Sequence, residues 1–346
     1  MYDCSKEVLG YHDDEVTLPQ KERDEMRQRR DTNRVRVKAG LAENDDPKSR
    51  EFASQGSYAM KTMTQHPAKD YDIDDGIYFN QDDLKKDDGT DMSALEARQM
   101  VRNAVDNGSF KKKPEVRKNC IRIYYEAGYH VDIPVYRRVI TKDFLGNETV
   151  HYELASTDWK RSDARDVTKW FDEENQLQSP DVMNGRQLRR ITRETKKYSR
   201  SRSSWEGQIA CGFMITKLVT ECYRPNVSRE DMALYDTMKA IRDRLELNLE
   251  VKHPVTPNDT ITKSANDPTA LFLKEKLTDA ISQLSVVFES ERTRKQALDA
   301  WDKVFNTTYF SAQLAEEKSY AATAFMSSTS SRVVTPRPPF GEDENE

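Results

Sequence analysis

QGSYAMKTMTQHPAKDYDIDDGIYF, residues 55–79, places a small-residue turn a short way ahead of an apolar strand that carries a run of carboxylates. If 71–79 is a strand, successive side chains alternate between faces. Asp72 and Asp74 then share one face while Ile73 and Asp75 point the other way. Two carboxylates about 6–7 Å apart at Cα can converge on the same cations. Like charges held so close repel, and a purely structural strand gains nothing from them, so a neutralising divalent metal is the natural explanation. The plain alternative is an acidic edge strand whose charge discourages aggregation. Upstream, Gly56 and Ser57 offer backbone N–H groups, a hydroxyl and close approach, which let a turn cradle a polyphosphate. Mg²⁺ suits such a place because it prefers a few carboxylates plus phosphate oxygens to an all-protein cage. Downstream, Asp132 lies in HVDIPVY with Val131 and Ile133 turned to the opposite face, and a third acid on a neighbouring strand would complete a two-metal site. No G-x-x-x-x-G-K-[ST] is present, which excludes a P-loop.

The 346 residues are 33% charged against 36% hydrophobic, enough apolar residue for a core with a largely solvated surface. No run approaches eighteen apolar residues and no signal-peptide pattern opens the chain, so the expected location is the cytosol. Cys4, Cys120, Cys211 and Cys222 show no C-x-x-C spacing and the five histidines no H-x₃₋₅-H pairing; reduced, buried thiols and no structural zinc are expected. The net charge of −5 hides basic stretches at 29–38 and 186–204 and an acidic C-terminus.

Along the chain, 18–40 reads as a charged helix stopped by Gly40. A helix follows from Asp91 to Asn107-Gly108, and 121–139 alternates as two antiparallel strands about Ala127-Gly128. Beyond about 155 the period turns helical. Expected elements are a short helix at 163–171, a basic amphipathic helix at 186–200, an apolar helix at 207–223, one opened by a capping box at Ser228–Asp231, and one opened by Asp267-Pro268. This is an α/β (α+β) plan, a sheet-rich half and then a helical half. The expected units are an N-terminal charged helix packing on the core (1–45), a catalytic domain (46–175), a helical domain (176–320) and a disordered tail (321–346). The cationic side of 186–204 admits two readings, a nucleic-acid or lipid surface and a solvated face with one or two residues turned toward triphosphate.

Gly56-Ser57, Asp72-Ile73-Asp74 and Asp132 resemble the nucleotidyltransferase superfamily of DNA polymerase β. QGSYAMKT, DYDIDDGIYF, HVDIPVY and WKRSDARDVTKWF, in that order, resemble more closely the CD-NTases, the bacterial cyclic GMP–AMP synthase and its relatives in anti-phage (CBASS) signalling. The resemblance implies a polymerase β-like core with a mixed sheet and a C-terminal helical bundle. It implies a phosphate-binding turn of Gln55, Gly56, Ser57, Tyr58, Ala59 and Met60, and a metal and catalytic triad of Asp72, Asp74 and Asp132. It also implies nucleotide contacts from Ser162, Lys196 and Asn258. Where relatives place a serine at the start of the buried helix, this chain has Cys211-Gly212. The implied activity joins nucleoside triphosphates, ATP, GTP or pyrimidine nucleotides, into a cyclic di- or trinucleotide using two Mg²⁺, with Mn²⁺ as a substitute, and the product acts on a downstream effector. Tyr124, Tyr125 and Tyr198 are candidates to stack on bases, with core packing as the alternative. A monomer is expected, with neither membrane, zinc nor nucleic acid as a partner. The competing functions are a linear oligonucleotide synthase or RNA-end nucleotidyltransferase on the same metal site, and a catalytically silent nucleic-acid-binding protein.

Overall fold

The computed structural model describes residues 2–314 other than 68, 70, 127, 257, 290 and 291, so the expected tail at 321–346 lies outside the described residues. The chain begins with α1 (Ser5–Tyr11), a π-helical turn (His12–Val16) and the long α2 (Gln20–Glu43). Then come β1 (Glu51–Gln55), the single turn α3 (Gly56–Ala59), β2 (Asp72–Asn80) and α4 (Ala94–Val105). Strands β3 (Glu115–Val116), β4 (Ile121–Tyr124), β5 (His130–Ile133), β6 (Val135–Lys142), β7 (Glu148–Ala155) and β8 (Trp159–Arg161) complete the sheet half. Helices α5 (Ala164–Gln178), α6 (Gln187–Ser199), α7 (Gly212–Cys222), α8 (Glu230–Leu247), α9 (Pro268–Leu284) and α10 (Arg294–Phe305) follow.

Among the described residues the strands form one mixed sheet in the order β3-β4-β5-β2-β6-β7-β8, with β1 antiparallel to β2. Strand β2 is central and serves both neighbours in turn, pairing parallel with β5 at Asp72–Asp74 and with β6 from Ile77 to Asn80. The sheet-rich half and the helical half are as the sequence suggests. Alternation along β2 sends Ile77 and Phe79 into an apolar cluster with Val37 and Leu41 of α2 and Val101 and Val105 of α4. The opposite face carries Asp72, Asp74 and Tyr78.

Helix α2 does not stop at Gly40. It continues to Glu43, because Gly40 is there for packing: a Cβ at that position would lie 2.0 Å from the carbonyl oxygen of Ala104, so only glycine lets α2 and α4 cross. Its buried residues Met26, Asn33, Val37 and Leu41 make one narrow stripe on an otherwise charged helix. Helix α4 starts at Ala94, not Asp91, where Ser93 and Glu96 close a capping box. At α8 the expected box is absent: Arg229 is the N-cap, and the Asp231 carboxylate accepts from the Cys4 backbone, the Ser5 hydroxyl and Arg229. That contact draws the N-terminus away from the sheet. Cys4, Val8, Tyr11 and Val16 accordingly join the core of the helical half, beside Leu218, Leu234, Leu277 and Trp301, while α2 packs on the sheet through Val37 and Leu41. Asp267 caps α9 through the N–H groups of Thr269 and Ala270, with Pro268 next.

The basic helix α6 is the largest departure. Both readings of its cationic side assume solvent, yet the side is covered. Arg190 has no exposed surface and spans two carboxylates, Glu230 (2.7 and 2.9 Å) and Asp181 (3.1 and 2.6 Å). Three further cations reach across to successive carbonyls of the segment after α3. Arg189 donates to Met60 (3.0 Å), Arg193 to Lys61 (2.8 Å) and Lys196 to Thr62 (3.2 Å). Of the cysteines, Cys4 and Cys222 are buried, Cys120 is half-buried and Cys211 is exposed, against the expectation of buried thiols throughout.

Candidate active site

A cleft of about 570 Å³ opens where the sheet face of β2 meets the helical half. The turn forms its first wall. Gly56 has φ +62°, and a Cβ on it would stand 2.3 Å from Asp74 Oδ2, so glycine is required both by conformation and by contact with the acid strand. Gln55 is fixed beside it, its Nε2 donating to Tyr78 Oη (2.8 Å) and its Oε1 accepting from Tyr136 (3.1 Å). The two tyrosine rings stack at 4.6 Å, and the Tyr78 hydroxyl donates a hydrogen bond to Asp163 (3.0 Å). A second close approach protects this network, since a Cβ on Gly76 would lie 2.1 Å from Gln55 Nε2.

Asp72 and Asp74 both line the cleft. The parallel register sets Asp74 beside Asp132 and Asp72 beside His130, whose Nδ1 lies 3.2 Å from the Asp72 carboxylate. The three predicted acids therefore gather at one end of β2 and β5. Burial, then the charges of Asp132 and Asp72, push the Asp74 carboxyl up to about 7, with Arg122 opposing them. Arg122 was not singled out in the sequence. It lies opposite Asp132 in the antiparallel β4–β5 pair, donates to both of its oxygens (2.8 and 2.7 Å) and stands 3.7 Å from Asp72. Among the described residues no three His, Cys, Asp or Glu side chains enclose a metal position, and the Arg122 guanidinium occupies both oxygens of Asp132. The donor chemistry still suits a hard divalent cation: oxygens only, crowded like charge, and a glycine that leaves Asp74 Oδ2 uncovered.

The far wall comes from the helical half. Lys196 Nζ donates to the Thr62 hydroxyl (3.0 Å), and burial, helped by Arg200 and Arg193, drives its ammonium down to about 7. Gly212 makes room for it, since a Cβ there would meet Lys196 Cε at 3.2 Å. The Cys211-Gly212 start of α7 thus gives the lysine its space, while Cys211 caps α7 without a side-chain hydrogen bond. Ser162, Arg200, Asn119, Phe213 and His253 also line the cleft, the last two edge to face at 5.4 Å.

Of the other residues predicted for nucleotide, Gln55, Gly56, Ser57 and Met60 face the cleft, whereas Tyr58, Ala59 and Asn258 are not among its lining residues. Tyr58 and Ala59 face the opposite side of the turn, and Asn258 is exposed on the loop bridged by Lys252 and Thr260. None of the three suggested stacking tyrosines lines the cleft. Tyr198 is core and donates to the Lys276 carbonyl, Tyr125 lies under Arg29, and Tyr124 bonds Glu115. Phe213, His253, Tyr71 and Tyr136 are the rings that line the cleft.

Residues 50–136 match the family model of the cyclic GMP–AMP synthase DncV-like nucleotidyltransferase domain. The chain carries a DncV-like nucleotidyltransferase domain. The match spans the turn, β2 and β5, and so includes Gly56, Asp72, Asp74 and Asp132. Over the longer chain the fold is similar to that of the Bradyrhizobium diazoefficiens CD-NTase CdnG in complex with GTP, at 14% identity and a TM-score of 0.68, covering 91% of this chain and 100% of that one. Vibrio cholerae DncV with the linear intermediate 5′ pppA(3′,5′)pG aligns at 16% identity and a TM-score of 0.66, over 88% and 96% of the two chains. Escherichia coli CdnC with ATP gives 15%, 0.64, 89% and 98%. At these identities the likeness establishes the fold, DncV-like domain and helical half together. No helix among the described residues is long and apolar enough to cross a membrane.

The depressed lysine gives a measurable signature. A polyphosphate beside Lys196 favours the ammonium, so nucleotide binding raises a pKa that starts near 7 and takes up a proton above that pH. Calorimetric titration of ATP at pH 8 in two buffers of different ionisation enthalpy is expected to show uptake approaching one proton per nucleotide, abolished in Lys196→Met. Equal heats in both buffers would place the lysine away from phosphate.

Proposed function

We propose that the protein condenses nucleoside triphosphates into a cyclic di- or trinucleotide with release of pyrophosphate, as a signalling nucleotidyltransferase of the anti-phage type. The observation that carries the reading is the register of β2 with β5, which sets Asp74, on the cleft wall against which Gly56 folds the turn, beside the buried Asp132.

In this reading Gly56 and Ser57 receive the donor's polyphosphate, with Lys196 and Arg200 supplying positive charge from the opposite wall. Asp72 and Asp74, with Asp132 once it leaves Arg122, would hold Mg²⁺, which when bound neutralises charge on the phosphate oxygens. Gln55, locked by Tyr78 and Tyr136, keeps the turn from sliding along β2. Phe213 and His253 offer ring faces and edges for a base. An acceptor ribose oxygen bonds to the α-phosphorus as the bond to pyrophosphate breaks, so catalysis is mainly positioning and charge neutralisation. Cyclisation repeats the transfer, with the linear intermediate's own triphosphate as donor.

The test is incubation with labelled ATP, GTP, CTP and UTP plus Mg²⁺. A phosphatase-resistant product, absent in Asp72→Ala, is the expected result. A phosphatase-sensitive product indicates linear synthesis. No turnover, with or without added nucleic acid, would remove both enzymatic readings, and salt-sensitive nucleic-acid binding that survives Asp72→Ala would point to a binding protein.

A further inference from the structure

The turn that begins at Gly56 hangs from an edge strand. Among the described residues β1 pairs with β2 alone, over the five positions Glu51–Gln55. A slip of two residues, the smallest that keeps each side chain on its own face, would carry the turn about 6–7 Å past Asp74. So short a ladder needs side chains to fix its register. On the face toward α2, Ser54 does this through Asp75 (3.2 Å) and Arg30 (3.1 Å). On the opposite face the work falls to Asp163 and Arg165 at the start of α5. Asp163 accepts from the Tyr78 hydroxyl at 3.0 Å, and Tyr78 accepts from Nε2 of Gln55, the last residue of β1, at 2.8 Å. Arg165 holds the same carboxylate side-on, with Nε at 3.0 and 2.9 Å and Nη2 at 2.7 Å, while its Nη1 donates to Glu51, the first residue of β1, at 2.9 Å. Its guanidinium carbon also lies 4.2 Å from the ring centres of both Tyr78 and Tyr152, a stack and fork that a lysine cannot make. Both ends of β1 are thereby tied to one helix start. Neither Asp163 nor Arg165 lines the cleft, although Ser162 and Ala164 beside them do.

This chain of bonds has a direction. Burial, then Tyr136 and Asp163, pushes the Tyr78 phenol far above its ordinary range, and burial, then Asp163 and Asp74, does the same for Tyr136, so both hydroxyls keep their protons. Asp163, paired with Arg165, can only accept, and it takes the one proton that Tyr78 has to give. Tyr78 is left with lone pairs to offer Gln55, so it must meet the amide NH₂, while Tyr136 donates to the amide oxygen at 3.1 Å. A flipped amide would turn its carbonyl toward an oxygen with no proton left, in a place where all three side chains are buried. We propose that Asp163 and Arg165 are positioning residues for the Gly56–Ala59 turn: through Tyr78 they set the orientation of the Gln55 amide, and with it the register of β1 and the seat of Gly56 and Ser57 beside Asp74. The consequence for catalysis rests on the nucleotide reading of the cleft; the consequence for the turn does not.

The test compares wild type, Asp163→Asn, Gln55→Met and the double variant of the full-length protein, well below the Tm of each. Asparagine caps a helix as well as aspartate does, so α5 is spared while the charge on Tyr78 and Arg165 is removed. The first readout is kcat/KM for ATP in the labelled-nucleotide assay. It is expected to fall at least about tenfold in Asp163→Asn, the weight of one hydrogen bond to a charged group. Gln55→Met should fall at least as far and the double variant no further, since both changes cut the same chain. The second readout is hydrogen–deuterium exchange of the nucleotide-free protein over residues 56–62, where Met60 N–H bonds Gly56, Lys61 N–H bonds Tyr58 and Thr62 N–H bonds Ser57. Exchange there should quicken in each single variant and no more in the double. An Asp163→Asn that lowers Tm but keeps kcat/KM and exchange at wild-type values overturns the proposal, as do losses that multiply in the double variant. Should Asp163→Asn fail to fold, Tyr78→Phe, which leaves the helix cap intact, takes its place in the comparison. Coupled exchange in a protein that turns over no nucleotide would remove the nucleotide reading and leave the positioning of the turn standing.

Discussion

Asp74→Asn is expected to abolish synthesis while leaving the protein as stable as before, or more so. The carboxylate lies against Gly56 in the cleft wall, and its neighbours Asp132 and Asp72 make its charge unwelcome until a cation arrives. Because its folded pKa of about 7 exceeds the ordinary 3.8, the native state holds a proton there that the unfolded chain has already lost between those values. The destabilising effect of the ionised group thus grows as pH rises from about 4 and is complete above about 7. Asparagine never carries that charge. With chelator present, the variant should melt higher than the parent at pH 8 and close to it only near pH 4. Turnover should fall at least about a thousandfold, equivalent to about 4 kcal/mol of barrier. A variant that loses activity and also melts lower at pH 8 would show a structural carboxylate, and the catalytic reading of this strand would fail.

One residue further on, the opposite outcome is expected. Alternation along the strand turns Asp75 away from the cleft, as the sequence suggests, and it is buried there against a charged partner. Asp75 is 2% exposed, turned into the packing between β2 and α2, and Arg34 holds it with two bonds of 2.7 and 2.5 Å while the Ser54 hydroxyl adds a third at 3.2 Å. Arg34→Ala strands that charge. Removing one partner of a buried pair costs about 3–5 kcal/mol, which lowers Tm by roughly 4–7 °C in a chain of this size. Arg34→Ala combined with Asp75→Ala should recover much of the loss, because the stranded charge, more than the missing bond, is the cost. Thermal melts of the two variants decide it; equal Tm values for single and double would mean that the pair contributes little.

The contrast between these neighbours shows which features were legible. Period-two alternation located Asp72 and Asp74 because it needs only the strand. The third acid was readable for the same reason. What Asp75 and Asp132 touch depends on partners distant in sequence, Arg34 at the middle of α2 and Arg122 across a hairpin, and composition is silent on both. Only the β4–β5 register, which pairs residues whose numbers sum alike, carried a usable hint for Arg122. Helix α6 misled for a different reason. Its cations looked solvated because charge usually is, but backbone carbonyls of residues 60–62 and the carboxylates Glu230 and Asp181 satisfy them inside the protein. Gly40 misled because glycine ends helices often and permits helix crossings less often, and sequence does not tell the two apart.

The three bonds from Arg189, Arg193 and Lys196 to the consecutive carbonyls of Met60, Lys61 and Thr62 work as a rack and pinion. Residues four and three apart on the helix advance by about a turn each, while the rack advances one residue at a time. A small roll of α6 about its axis would therefore be transmitted as a slide of the Gly56–Ala59 turn past Asp74. The turn is joined covalently to the sheet but is geared to the helical half. Substitutions deep in that half, far from any nucleotide, are then expected to register first as altered substrate affinity.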